Sequence, residues 1–140
     1  MGKYEFIDHT ADIAVKAYGE TLGEAFAAAA EAMFDIITRG SDIQPTEEIQ
    51  ISVESIDIEG LLVSFLSELI LRHEVNNLVL TDFRVTIEDD KHMSAAARGE
   101  KFEAKRHGHG VQVKGVSYHM MEIVEGKAGS PCHVQVLFDI

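Results

Sequence analysis

The chain has one cysteine, two prolines, twelve basic residues against twenty-four acidic ones, and no long apolar run among its 140 residues. Each shortage excludes something. A lone Cys132 cannot close an internal disulfide and fits a reducing cytosol, which sets aside a disulfide-stapled secreted module. With so little proline and no Ser-rich tract, nothing reads as a linker, and one domain over residues 1–140 is expected. No stretch approaches the roughly 18 apolar residues of a membrane span, and the N-terminus enters a strand pattern at once instead of a leader. A soluble, unprocessed, cytoplasmic protein is expected. The net charge of -12 would repel a phosphate backbone, and only Lys101, Lys105 and Arg106 cluster among the basic residues, so direct nucleic-acid binding is not expected. Such acidity either keeps the chain soluble or suits fast encounter with a basic protein.

Catalytic signatures are missing as well. There is no GxxxxGK[ST] loop, GxGxxG, GxSxG elbow, HExxH or CxxC, which removes sequence support for phosphate-cradling, dinucleotide, acyl-transfer and zinc-finger chemistry. Cys132 reads as a small packing residue, since no basic neighbours would favour its thiolate. A cysteine nucleophile paired with one of the seven histidines is the reading this disfavours.

What is present is 46% apolar residues in two periodicities. Tyr4 to Asp8 and Ile13 to Tyr18 alternate as two short strands around a polar turn, placing Asp12 at a sheet rim. Thr21 followed by Glu24 forms a capping box, and Leu22, Ala25, Phe26, Ala29, Ala30, Met33, Phe34 and Ile37 continue one apolar helical stripe until Gly40. Ile49, Ile51 and Val53 mark a half-buried strand. Asp57 then caps a second helix carrying Leu61, Leu62, Phe65, Leu66, Leu69 and Ile70, closed by His73 and Asn76-Asn77. Strands follow near Leu78 to Glu88, Met93 to Lys105, Val111 to Val124 and His133 to Phe138. The expected fold is α/β in the α+β sense, a mostly antiparallel sheet with two amphipathic helices covering one face.

Among the histidines, His107 and His109 have the spacing of a metal clip, but their glycines and Lys105-Arg106 read instead as an exposed, flexible loop. His73 suits the cationic last turn of a helix, and His92 and His133 read as surface residues near strand starts. Two other places concentrate polar groups. One is the turn Asp8-His9-Thr10-Ala11-Asp12. The other is the end, Val134 to Ile140, which stops while still strand-like and so implies a docked strand with a fixed α-carboxylate. That carboxylate, Asp139 and a carboxylate from another strand would supply the hard oxygen ligands preferred by Ca²⁺ or Mg²⁺.

The chain resembles the archease family through His9-Thr10-Ala11-Asp12-Ile13, the Ala-rich helix containing Phe34-Asp35, the Leu-rich second helix, Lys114-Gly115-Val116-Ser117-Tyr118-His119 and the Phe138-Asp139-Ile140 ending. The resemblance runs in order over essentially the whole chain. It implies an α/β cofactor of the RtcB-type RNA ligase of tRNA splicing, a partner whose guanylylation and multiple turnover it promotes. It also implies a divalent-metal site at Asp12, Asp139 and Ile140, with Ca²⁺ as the expected ion and Mg²⁺ or Mn²⁺ as alternatives. His9 and Thr10 would support the metal turn by hydrogen bonding, and Tyr118 and His119 would support the site or meet the partner. No catalytic residue of the chain's own is expected. Two alternatives stand beside this: a chaperone or modulator of another RNA-processing enzyme such as a tRNA methyltransferase, and a metal-dependent hydrolase using Asp8, Asp12 or Asp139 with His119.

Overall fold

The computed structural model describes residues 3–8 (the backbone alone at Asp8), 12–108, 110–127 and 129–140. The elements run β1 (Tyr4–Asp8), β2 (Asp12–Gly19), α1 (Leu22–Thr38), β3 (Glu47–Glu54), α2 (Ile58–Asn76), β4 (Leu78–Asp89), β5 (His92–Lys101), α3 (Ala104–His107), β6 (Gly115–Val124) and β7 (Cys132–Asp139).

Both long helices start where local chemistry places them. The Thr21 hydroxyl accepts from the Glu24 amide at 3.1 Å, and the Asp57 carboxylate accepts from the Gly60 amide at 2.7 Å. Each helix ends on a left-handed residue, Arg39 and Asn77 respectively.

All strand pairs are antiparallel, as expected. They are divided between two sheets, of order β1-β2-β7-β6 and β3-β5-β4. Helix α1 packs on β2 and β7 of the first sheet and on β4 of the second, while α2 packs on β6 and on β3, β4 and β5. The helices therefore form a middle layer with a sheet on either side, beyond the one covered face that periodicity implied. The alanine run explains how this is possible: α1 buries Ala25, Ala28, Ala29, Ala30 and Ala32 around its circumference, and small side chains let backbone approach from both sides.

Two boundaries differ most from the sequence reading. The strand expected to reach Lys105 ends at Lys101 and is followed by α3, and the next strand begins at Gly115 instead of Val111. The loop reading of His107 is overturned, because this residue ends α3 with 0% exposure. Gly110 serves packing: a Cβ there would lie 1.7 Å from the Ile37 carbonyl oxygen, so only glycine lets the chain pass the end of α1. Val111 then donates to the Ile36 carbonyl at 3.3 Å, directing the chain to the start of β6. His109 lies outside the described residues.

Candidate functional site

The last strand lies inside the first sheet, between β2 and β6. Its register with β2 places Asp139 directly opposite Asp12, and its register with β6 places Asp139 opposite Gly115. Residues directly opposed across paired strands point to the same face. The neighbouring rung Ile13–Phe138 turns toward the helices, with Phe138 fully buried, so Asp12 and Asp139 share the outer face. The two residues predicted from opposite ends of the chain are thus brought together. Ile140 lies one position beyond this rung, at the same rim.

The strand end is held from both sides. Besides its rung with Asp12, Asp139 accepts through its backbone carbonyl from the Lys114 amide at 2.8 Å. Gly115 leaves the flank of Asp139 without a side chain; a Cβ there would lie 3.9 Å from Oδ2. The first half of the Lys114–His119 segment therefore frames the terminal strand. Like charges directly opposed on a sheet are unfavourable by a few tenths to about 1 kcal/mol, a cost that a cation between them removes. Among the described residues no three His, Cys, Asp or Glu side chains converge on one point. The donor set here is two carboxylate side chains beside the end of a strand, all hard oxygens, which fits Ca²⁺, Mg²⁺ or Mn²⁺ and not a soft, thiolate-seeking ion.

The other predicted residues are placed apart from the rung. Tyr118 and His119 sit in a bulge of β6, where the register to β7 breaks between Ser117 and Glu122 and Met120 adopts φ 59°. Tyr118 is 60% exposed, and the His119 amide donates to the Ser117 hydroxyl at 3.0 Å. The Gln135 side chain donates to the Met120 carbonyl at 2.9 Å, holding the bulge against the outer face. Among the described residues no hydrogen bond joins His119 to Asp12 or Asp139. His9 and Thr10 lie outside the described residues.

Sequence reading missed a second ionic centre. Glu100, 7% exposed on β5, accepts from the Gln44 amide at 2.6 Å, from both terminal nitrogens of Arg106 (Nη2 at 2.9 Å) and from His107 Nε2 at 3.0 Å. His107 Nδ1 accepts from the Glu103 amide at 2.9 Å, which assigns the ring proton to Nε2. Burial by itself would raise the Glu100 carboxyl, but the Gln44 amide, Arg106 and His107 together hold it down at about 2. The available signal was a glutamate in an otherwise small-residue strand, followed by the chain's one basic cluster. His73 likewise has a structural task beyond facing the helix dipole: its Nδ1 bonds the Leu78 carbonyl at 2.8 Å, tying the end of α2 to β4.

The sequence profile described as the archease protein family (MTH1598/TM1083) matches residues 4–140. The chain belongs to the archease family. It is 45% identical over 126 residues to the protein named archease of Pyrococcus furiosus, covering 88% of this chain and 89% of that one. The solution structure of Methanobacterium thermoautotrophicum protein 1598 is similar over 100% of both chains, with TM-score 0.74 and 30% identity. A Thermotoga maritima crystal structure, titled an archease and possible chaperone, shares the fold at TM-score 0.61 and 20% identity over 96% of this chain and 94% of that one. No helix among the described residues is long and apolar enough to cross a membrane.

Proposed function

We propose that this protein activates an RtcB-type RNA ligase in tRNA splicing, promoting its guanylylation and multiple turnover, by means of a divalent cation held at Asp12, Asp139 and the terminal carboxylate of Ile140. The observation that carries the reading is the Asp12–Asp139 rung: two like charges set face to face at the end of a strand clamped on both sides. Family membership and the net charge of -12, which suits a basic RNA-handling partner, support it.

A bound cation would supply charge neutralisation and fixed geometry near transferring phosphates. The chain's own contribution is positional. Strand β2 and the Lys114 amide hold Asp139, the β2–β7 register holds Asp12 across from it, and Gly115 leaves the flank open. On this reading the chain acts on its partner and performs no bond-making step of its own. Ca²⁺ is the ion we assign first, with Mg²⁺ and Mn²⁺ as the competitors in titration.

The decisive experiment adds the purified chain to a ligase reaction limited by GMP attachment and compares it with Asp139→Asn. Faster guanylylation and repeated turnover with the parent, and neither with the variant, is expected. No effect of the parent on guanylylation, together with binding to a tRNA methyltransferase, would replace this reading with the chaperone-like one. The description of the Thermotoga protein as a possible chaperone and the exposed Tyr118 and Met120 of the β6 bulge favour that second reading.

A further inference from the structure

The two sheets have four edges, of which β4 and β6 are broken by bulges and β3 is strongly acidic. Strand β3 carries Glu47, Glu48 and Glu54. Strand β4 breaks register between Thr81 and Arg84 and between Ile87 and Asp89, and β6 bulges after Ser117. Charges and bulges are the usual means of blocking edge pairing. Strand β1 carries Glu5 and Asp8 but has neither a bulge nor a proline or lysine, and unlike the acidic β3 it presents two large apolar side chains, Phe6 and Ile7, at 45% and 39% exposure.

Its backbone is aimed outward in a definite pattern. The Tyr18 amide donates to the Lys3 carbonyl at 2.7 Å, so Lys3 is a bonded position toward β2. Alternation makes Glu5 and Ile7 the next bonded positions and turns the N–H and C=O groups of Tyr4 and Phe6 away from the sheet. No turn, loop or cap bond among the described residues uses those groups.

Tyr4 and Phe6 lie on the face that meets the helices, opposite Ala17 and Val15, with their rings edge to face at 5.5 Å. On that face lie two adjoining hollows of contrasting chemistry. Beside Tyr4 is one of about 320 Å³ lined by Lys3, Glu31, Asp35, Thr38 and Asp42. Its three carboxylates exceed its one cation, Lys3, which lies 3.4 Å from Glu31. Beside Phe6 is one of about 400 Å³ lined by Ile13, Ile36 and Val111 with Arg39. Asp35, which accepts from the Tyr4 hydroxyl at 2.8 Å, lines both.

We infer that the free edge of β1 is a docking strand for an extended segment of a basic partner protein, carrying an apolar and a basic residue two positions apart. A strand added to β1 would run about 4.8 Å away and send alternate side chains toward the helix layer. The residue beside Tyr4 then enters the acidic hollow, and the one beside Phe6 enters the apolar hollow. A second copy of this chain is a poor occupant: β1 itself reads Tyr-Glu-Phe-Ile-Asp, with no cation for the acidic hollow, and each copy brings a charge of -12. The inference depends on neither the metal nor the ligase.

The test titrates the isotope-labelled chain with the blocked heptapeptide Thr-Ser-Val-Thr-Arg-Ser-Thr, and with its reversed sequence for the opposite strand direction, by NMR. Saturable amide shifts at Tyr4, Phe6 and the Glu31–Asp42 region are expected from one of the two, with β3 silent. Replacing the peptide arginine by glutamate, or raising salt from about 0.1 M to about 0.5 M, should weaken binding about tenfold. Phe6→Pro removes an outward N–H without touching a β1–β2 bond and should cost a similar factor. Glu31→Gln with Asp35→Asn should erase the preference for arginine over glutamate, which tests the hollow while leaving the outward N–H and C=O groups of β1 in place. Absence of saturable shifts, equal binding of the two peptides to the parent, or β1 shifts that follow the protein's own concentration without peptide would overturn the inference, the last by assigning the edge to a second copy.

Discussion

Glu100 and Asp139 are both carboxylates on strands, yet they sit in opposite circumstances. Glu100 is buried and surrounded by the Gln44 amide, Arg106 and His107, so each face of its charge has a partner within the fold. Asp139 is exposed at a rim and faces Asp12, another anion. The first arrangement is complete and can serve only structure. On the proposed reading the second is completed by a cation from outside, and that difference would separate a structural ion pair from a binding site more sharply than acidity alone.

The comparison breaks most visibly at Glu100. Removing it by Glu100→Ala leaves the buried His107 N–H without an acceptor and the Arg106 charge without its partner, and a loss of about 3 kcal/mol in urea unfolding is expected. Calcium binding at the rim should be unchanged in the same variant. A loss below about 0.5 kcal/mol would show that the cluster is not the closed structural unit described.

The second prediction concerns Asp139. Asp139→Asn keeps size and strand pairing but removes one anionic ligand, and calorimetric titration should show calcium affinity reduced about ten- to hundredfold. Extending the chain past Ile140 converts the terminal carboxylate to an amide and should act in the same direction. Parent-like binding in both variants would mean that the ligand set is wrong.

Acid titration sharpens the contrast further. The Glu100 carboxyl lies at about 2 in the folded protein against an ordinary 4.5, so its stabilisation is fully present above pH 4.5 and is lost as pH falls through about 2. Glu100→Gln cannot take up that proton on unfolding. Its stability should therefore decline less steeply between those two pH values than the parent's, as read by urea midpoints, and equal slopes would remove Glu100 from the acid limb.

How much of this was legible before the structure depended on the range of the interactions. The caps at Thr21 and Asp57 could be read because capping joins residues three apart. The docking of the Val134–Asp139 strand was legible from its apolar alternation, but its neighbours were not. That Asp12 meets Asp139 across a rung is a matter of register between segments more than a hundred residues apart, and only the family resemblance linked them in sequence. The division into two sheets escaped periodicity because alternation reports that a strand has a buried face without saying which layer buries it. His107 was misread for a related reason: flanking glycine suggested mobility, while its actual partners, Glu100 and Glu103, lie on a strand and a cap that local pattern does not connect.

The smallest effect is also the most discriminating. Without metal, Asp12→Asn removes a like-charge opposition and leaves the β2–β7 hydrogen bonds in place, so the metal-free variant should be more stable than the parent by about 0.5 kcal/mol. For a domain of this size that is a rise of about 2 °C in Tm. With calcium at about 100 times its Kd the order must reverse, because the parent gains about 2.7 kcal/mol from binding and the variant gains far less. A purely structural rim predicts the opposite sign in the first measurement and no crossing in the second. If Asp12→Asn lowers Tm equally with and without calcium, the carboxylates stabilise the sheet edge by themselves, and the rim joins Glu100 on the structural side of the comparison.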